Sequence, residues 1–313
     1  MTENTQSFYH AHGAPENPDT DYIVRATAYG GQVRALAIRS TVLCNRALQI
    51  HGLSPVATAA LGRFLTGSLL LAENLKSKED TQTTNIRCKG PIHGMTAVCD
   101  SFGTVRGYCN VPAVENTFHY PGKLDVGSAV GTGILTVIRD LGLKEPYIGS
   151  TELVSGEIAE DFTYYLAVSE QTPSVMSLGV LLGEEKVLHA GGFLVQLLPG
   201  AGEDVIGKLE DRASGGFPDV TFLLEQGFNP EKILDLFLGD PEIVYLNASE
   251  VRYECNCSRE RMERNLITLG EKQLAELSED KEGITLECHF CEKKYSFSQS
   301  DLRNLLENTS SDA

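Results

Sequence analysis

Apolar and polar positions alternate through YIVRATAYGGQVRALAIRS, residues 22–40, and the alternation breaks at Gly30-Gly31, which predicts a β-hairpin. From Ser54 the spacing becomes helical. Ser54 stands where an N-cap is needed, Pro55 fits the first turn, and an Ala/Leu-rich segment runs on to about Lys76. Short strand-like runs follow in TTNIRCK, HGMTAVC and TVRGYCN, separated by turn sequences at Gly90-Pro91 and Asp100–Gly103. GILTVIRD and PYIGSTELV repeat the pattern. Gly156–Glu170 reads as a short helix, and Val175–Leu182 with Val187–Leu197 as a further hairpin. Helices and strands are interspersed without regular βαβ alternation, so the expected class is α+β rather than a doubly wound sheet.

The pattern also divides the chain. Residues 1–20 are polar, carry Pro15 and Pro18, and are expected to form a disordered tail. Residues 21–200 form the large N-terminal α+β domain. After Leu198-Pro199-Gly200, residues 201–250 read as short helices with Gly and Pro breaks. The clearest starts at Asn229-Pro230-Glu231, an N-cap with a first-turn proline, and stops at Gly239. Phe222–Leu224 and Leu236–Leu238 are apolar, but this linker is too short to build a core and must pack on a neighbour. Residues 251–313 form a small C-terminal domain. There Ser258 is expected to cap a helix carrying Met262, Leu266 and Leu269, and a second helix carries Leu274 and Leu277. ITLEC supplies a strand, and SFSQSDLRNLL a closing strand and helix.

Composition narrows the function. Of 313 residues, 42% are hydrophobic and 22% charged, enough apolar content for a real core. The 43 acidic and 26 basic residues leave a formal charge of −17, a surface that repels nucleic-acid phosphates and anionic lipid. The N-terminus has neither the basic nor the apolar region of a signal peptide. The most apolar stretch, around Leu61–Leu75, is interrupted by Arg63, Glu73 and Asn74. The expectation is a cytoplasmic protein with no membrane partner, in which eight cysteines are not a disulfide framework.

Four of those cysteines fall in a metal-ligand pattern: Cys255-Asn-Cys257, thirty residues, then Cys288-His-Phe-Cys291. Structural zinc takes four ligands tetrahedrally, and two close pairs are a usual way for a short sequence to supply them. His289 is a conceivable substitute ligand, but four thiols already complete the set. Zinc holds cysteine as thiolate, the reactive form, so the same site can sense oxidants. Each motif also places a resolving thiol one or two residues from its partner. The other cysteines, Cys44, Cys88, Cys99 and Cys109, are not needed for such a site. Cys88, Cys99 and Cys109 sit in strand-like runs, where a buried thiol acts as a small apolar residue. His10 and His12 in the tail are at most a weak metal pair.

YECNCSRERMER, the spacing between the pairs and ECHFCEKKYSFSQSDL resemble the zinc domain of the heat shock protein 33 family, the redox-regulated holdase chaperones of bacteria. TAALGRFLTGSLLL, CKGPIHGM, KLDVGSAVGTGILTVIRDLG, GEIAEDFTYYLAVSEQTPS and HAGGFLVQLLPG extend the resemblance over most of residues 21–305. It implies one Zn2+ per chain held by Cys255, Cys257, Cys288 and Cys291 in a reduced, inactive state. It implies Cys255–Cys257 and Cys288–Cys291 disulfides on oxidation, with zinc released. The linker would then loosen and expose apolar surface to unfolding client proteins, and the oxidised chain would form a homodimer. Four cysteines beyond that switch, and a longer N-terminal tail, are departures from the family pattern.

Two rivals fit less well. For a zinc-ribbon nucleic-acid module, residues 250–313 carry fourteen acidic and nine basic residues, a net of −5. Arg259, Arg261 and Arg264 there are interleaved with Glu260 and Glu263 rather than forming a basic patch. For an enzyme, CHFC lacks the strand-to-helix setting of a thiol–disulfide oxidoreductase, and no GxSxG, Walker A, HExxH or dinucleotide motif occurs.

Overall fold

Strands β1 (Tyr22–Ala28) and β2 (Val33–Arg39) pair antiparallel across Gly30 and Gly31, whose φ of 65° and 87° suit residues without a Cβ. Helices α1 (Thr41–His51) and α2 (Pro55–Ala72) follow, then β3 (Thr81–Cys88), β4 (Met95–Asp100) and β5 (Thr104–Cys109). A small hairpin, β6 (Phe118–Tyr120) and β7 (Lys123–Leu124), leads into α3 (Val126–Val130). Next come β8 (Gly133–Asp140), β9 (Tyr147–Glu152), α4 (Ala159–Val168), β10 (Ser174–Leu182) and β11 (Val187–Leu197). The linker residues supply α5 (Glu203–Ser214), α6 (Val220–Glu225), α7 (Pro230–Leu238) and β12 (Val244–Glu250), before the two-residue strand β13 (Arg252–Tyr253). The computed structural model describes residues 20–120 and 123–311 together with Pro15 and Asn17, so nearly all of the expected tail, His10 and His12 included, lies outside the described residues. The chain forms two compact units, divided between Glu254 and Cys255.

The first unit is built on two sheets. One runs β10-β11-β2-β1-β12, and the other runs β13-β5-β4-β3-β8-β9, antiparallel except where β13 joins β5. Helix α2 packs against strands of both. It is long and apolar enough to cross a membrane, but 89% of it is buried in this core. Its only charged residue, Arg63, bonds Glu157 at 2.6 Å. The class is therefore α+β, as the interspersed pattern predicts.

Both faces of the five-stranded sheet are covered. Ile23, Leu36 and Ile38 face α1 and α2, while Val24, Ala35, Ala37, Phe193 and Val195 face the helices of residues 203–238. Those helices answer with Val205, Leu209, Leu223, Ile233, Leu234 and Phe237, all buried. Phe237 lies 4.7 Å from Phe193 and 5.0 Å from Phe217 between ring centroids. Asn229 caps α7 as expected, accepting from the Lys232 N–H at 2.8 Å, and Gly239 ends it at φ 58°. The Tyr22 hydroxyl donates to Glu231 at 2.7 Å, and Tyr245 donates to the Glu231 carbonyl at 2.8 Å. The sequence reading lacks the short β6, β7, α3 and β13 and two longer elements: α1 is a helix, and Val244–Glu250 is an edge strand paired with β1.

The second unit holds α8 (Arg259–Ile267), α9 (Glu271–Ser278), the hairpin β14 (Ile284–Glu287) and β15 (Lys294–Phe297), and α10 (Gln299–Ser311). Ser258 caps α8, accepting from the Arg261 N–H at 3.3 Å. Leu266, Leu274, Tyr295, Phe297 and Leu302 make its core, with Met262 and Leu277 packed beside them. Leu269, expected on the buried face, lies beyond the end of α8 and is 45% exposed. A core of this size is marginal alone.

Candidate metal centre

The two cysteine motifs occupy different local structures. Cys255 and Cys257 lie in the extended segment just before the Ser258 cap, and Cys288 and Cys291 in the turn joining β14 to β15. That turn is pinned by its own backbone. The Cys288 N–H donates to the Lys293 carbonyl at 3.0 Å, and the N–H groups of Cys291 and Glu292 both donate to the Cys288 carbonyl, at 3.2 and 2.7 Å. Glu292 closes it at φ 59°, a left-handed conformation unusual for a residue with a Cβ.

All four expected ligands converge. Their sulfurs lie within 4.8 Å of one another, with Cys255 to Cys288 at 3.7 Å and Cys257 to Cys291 at 3.3 Å. Disulfide sulfurs would stand about 2.05 Å apart, so these are free thiols. Four sulfurs at about 2.3 Å from a tetrahedral metal stand about 3.8 Å apart, so the donor set and its spacing fit zinc. His289 is exposed and outside the cluster.

One neighbour was not apparent from the sequence. The Tyr295 hydroxyl lies 3.1 Å from the Cys257 sulfur. Burial alone would push the Cys257 thiol up, but hydrogen bonds from Tyr295 and the neighbouring thiols hold it below the usual cysteine range. Cys255 and Cys291 are pushed up, chiefly by burial. The Cys257 contact in turn raises the Tyr295 phenol. Strand alternation offers a signal for this residue: Tyr295 and Phe297 share the inward face of β15.

The remaining cysteines behave as core. Cys44, Cys99 and Cys109 are buried and Cys88 half-buried, all four as free thiols. Burial pushes Cys44 and Cys109 up to about 12 and raises Cys88 and Cys99 as well, which keeps them protonated and unreactive at neutral pH. The arginine group offers no phosphate-binding face in Arg259. Its guanidinium lies 4.3 Å from the Phe297 ring, donates to the Ser296 carbonyl at 2.7 Å and pairs with Asp301 at 3.0 Å.

Comparison with known proteins places this geometry in a family. The family model described as Hsp33 protein matches residues 21–298. The 33 kDa chaperonin of Ruminiclostridium cellulolyticum is 49% identical over 286 residues, covering 91% of this chain and 98% of that protein. The 33 kDa chaperonin of Clostridioides difficile is 46% identical over 287 residues, covering 91% and 98%. The crystal structure of the 33 kDa chaperonin of Thermotoga maritima superposes with a TM-score of 0.84 at 36% identity, covering 93% of this chain and 99% of that one.

Proposed function

The chain belongs to the Hsp33 family of chaperones, which are not enzymes, and from that premise we propose that it is an ATP-independent holdase switched on by oxidation of its clustered cysteines. The observation that carries this reading is the cluster itself, four free thiols drawn from two close sequence pairs. In the reduced, inactive state Cys255, Cys257, Cys288 and Cys291 hold one Zn2+. The ion supplies a cross-link worth roughly 10–16 kcal/mol in modules of this kind, which is the stability that the small core lacks.

On oxidation by peroxide, one thiolate of each pair becomes a sulfenic acid, and its sequence neighbour displaces water to form a disulfide. Cys255 pairs with Cys257 and Cys288 with Cys291. Four thiolates, two peroxides and four protons give two disulfides and four waters, with four electrons passing from sulfur to peroxide. No thiolate set for zinc then remains. Sulfur contacts at 3.3 and 3.7 Å run between the motifs, so pairing within each motif competes with pairing across them. Mass-spectrometric mapping of the oxidised chain tests this: Cys255–Cys288 and Cys257–Cys291 bridges would refute the pairing.

The output is a loosening of residues 201–250. Their helices cover the apolar face made by Val24, Ala35, Ala37, Phe193 and Val195. Lifting them bares that face together with their own apolar side, a surface suited to the exposed segments of unfolding client proteins. The charge of −17 keeps the loaded complex soluble, and the oxidised chain works as a homodimer in the cytoplasm.

The deciding experiment measures light scattering of a thermally unfolding client with reduced and peroxide-treated protein, with zinc analysis of the same samples. Reduced protein should carry one thiol-bound zinc and give no protection; oxidised protein should release that zinc and protect. Equal protection by both states refutes the switch. A Cys288→Ser/Cys291→Ser chain that keeps the same redox dependence refutes the assignment to these residues.

A further inference from the structure

We propose that His119, Asp125 and Glu157 form a second metal site, for a borderline divalent cation such as Zn2+, held through nitrogen and oxygen and independent of the cysteines. The three residues come from three separate segments of the first unit. His119 lies in β6, Asp125 caps α3, and Glu157 ends the loop between β9 and α4. Their ligand atoms nevertheless fall within 4.8 Å of one another. His119 Nε2 is 3.1 Å from Glu157 Oε1 and 3.4 Å from Asp125 Oδ1. Imidazole and carboxylate ligands about 2.0–2.2 Å from a metal stand roughly 3.0–3.5 Å apart, so the His119 distances are those of neighbouring ligands on one ion.

The carboxylates are held in place as ligands usually are. Glu157 Oε2 is taken by Arg63 at 2.6 Å, which turns Oε1 toward His119. Glu157 Oε1 accepts one backbone N–H, from Gly127 at 2.9 Å, and Asp125 Oδ1 accepts one from Ser128 at 2.8 Å. His119 Nε2 and Glu157 Oε1 share a hydrogen bond whose proton the ion would replace, and the Gly127 and Ser128 N–H groups orient both carboxylates, as second partners do around bound metals. The loop carrying Glu157 is itself fixed. Buried Asp161 accepts from the N–H groups of Val154, Ser155, Gly156 and Ile158 at 2.7–3.3 Å. Hydrogen bonding holds both Asp125 and Glu157 below the usual carboxylate range, although burial opposes it at Glu157, so both are charged at neutral pH.

Two features give such an ion a place and a consequence. The three side chains line one cleft of about 470 Å³ together with Gly127, Gly131 and Ser155, which leaves room for further ligands beside the protein's three. The strand that brings His119 is not secured by apolar burial of its own, since Phe118 and Tyr120 are 56% and 60% exposed. An ion bridging His119 to Asp125 and Glu157 would tie that hairpin to α3 and the 153–157 loop. With nitrogen and oxygen donors the site survives oxidation, so it holds metal in the state in which the thiols hold none.

The test uses full-length chain carrying His10→Ala and His12→Ala, stripped of metal and with its thiols blocked by alkylation. Zn2+ is titrated by calorimetry and Co2+ by absorption. The expected result is one equivalent of bound metal, and a cobalt spectrum lacking the near-ultraviolet thiolate charge-transfer band. His119→Ala should weaken binding at least about tenfold, and Glu157→Gln likewise. His119 is 46% exposed, so its removal leaves the core intact, and an unchanged melting temperature without metal verifies folding. No binding to the alkylated chain overturns the proposal, as does binding that His119→Ala leaves unchanged. The alkylated chain cannot switch, so either outcome stands apart from the cysteine reading.

Discussion

If residues 201–250 silence the chaperone by covering the sheet, then weakening that cover should activate the protein without oxidation. Phe237→Ala is the sharpest perturbation. The ring is 1% exposed and makes aromatic contacts with Phe193 and Phe217 at 4.7 and 5.0 Å. Truncating a buried Phe costs about 3–5 kcal/mol, of which each aromatic pair accounts for about 0.5–1.5 kcal/mol. The sheet strands and the cysteines are left alone, so most of that loss falls on the docked state of the linker. At about 1.4 kcal/mol per tenfold, a loss of about 4 kcal/mol raises the open population roughly 10³-fold. The assay pairs client light scattering with hydrogen exchange of amides 203–250, on reduced, zinc-loaded protein. The variant should exchange quickly there, retain its thiol-bound zinc and suppress aggregation. Fast exchange with zinc retained and no suppression would refute the idea that covering this face is what holds the chaperone inactive.

Other predictions are independent of that one. Tyr295→Phe removes the hydroxyl 3.1 Å from Cys257 and should weaken zinc about tenfold in chelator competition; an unchanged affinity would make the contact incidental. Asp21 is buried, and burial raises its carboxyl to about 6 although the Leu43 N–H donates to it at 2.7 Å. The folded chain thus binds this proton more tightly than the unfolded one, and stability present below about pH 4 is lost as pH rises through 6, by about 3 kcal/mol. Asp21→Asn keeps the acceptor for Leu43 and removes the charge. Its stability advantage in urea should widen from pH 5 to 7.5, and a gap independent of pH would refute the buried-charge account. Arg259→Ala loses the Phe297 stacking and the Asp301 and Ser296 contacts together. Calorimetry of the zinc-loaded reduced chain should show destabilisation of about 1–3 kcal/mol, and none would mean those contacts are not net stabilising.

Local chemistry made much of the fold legible. Gly30-Gly31, Ser54-Pro55 and Asn229-Pro230 with Gly239 each announce one turn or helix end, and each stands where expected. Helix α1 is harder to read, because its first turn carries neither a proline like Pro55 nor an acidic residue. The one available signal was Gly52, which ends it at φ 55°. Strand β12 was missed for another reason. Asn247, Ala248 and Ser249 have weak strand preference, and their pairing with β1 joins residues more than two hundred positions apart.

The chemistry divides along the same line. The CxC and CxxC motifs carry their own meaning, because thiol pairs one and two residues apart can reach one metal wherever the fold brings them. The sequence alone therefore determined the α+β class, the four cysteines of the cluster and the acidic surface. Tertiary structure decided what surrounds and answers those residues. It brought Tyr295 to Cys257, and laid the apolar sides of α5 to α7 on one sheet face. It also gathered His119, Asp125 and Glu157 from three separate segments at one point. No periodicity marks such convergence, since the three positions share no element, and only the packing of those elements sets the distance between them.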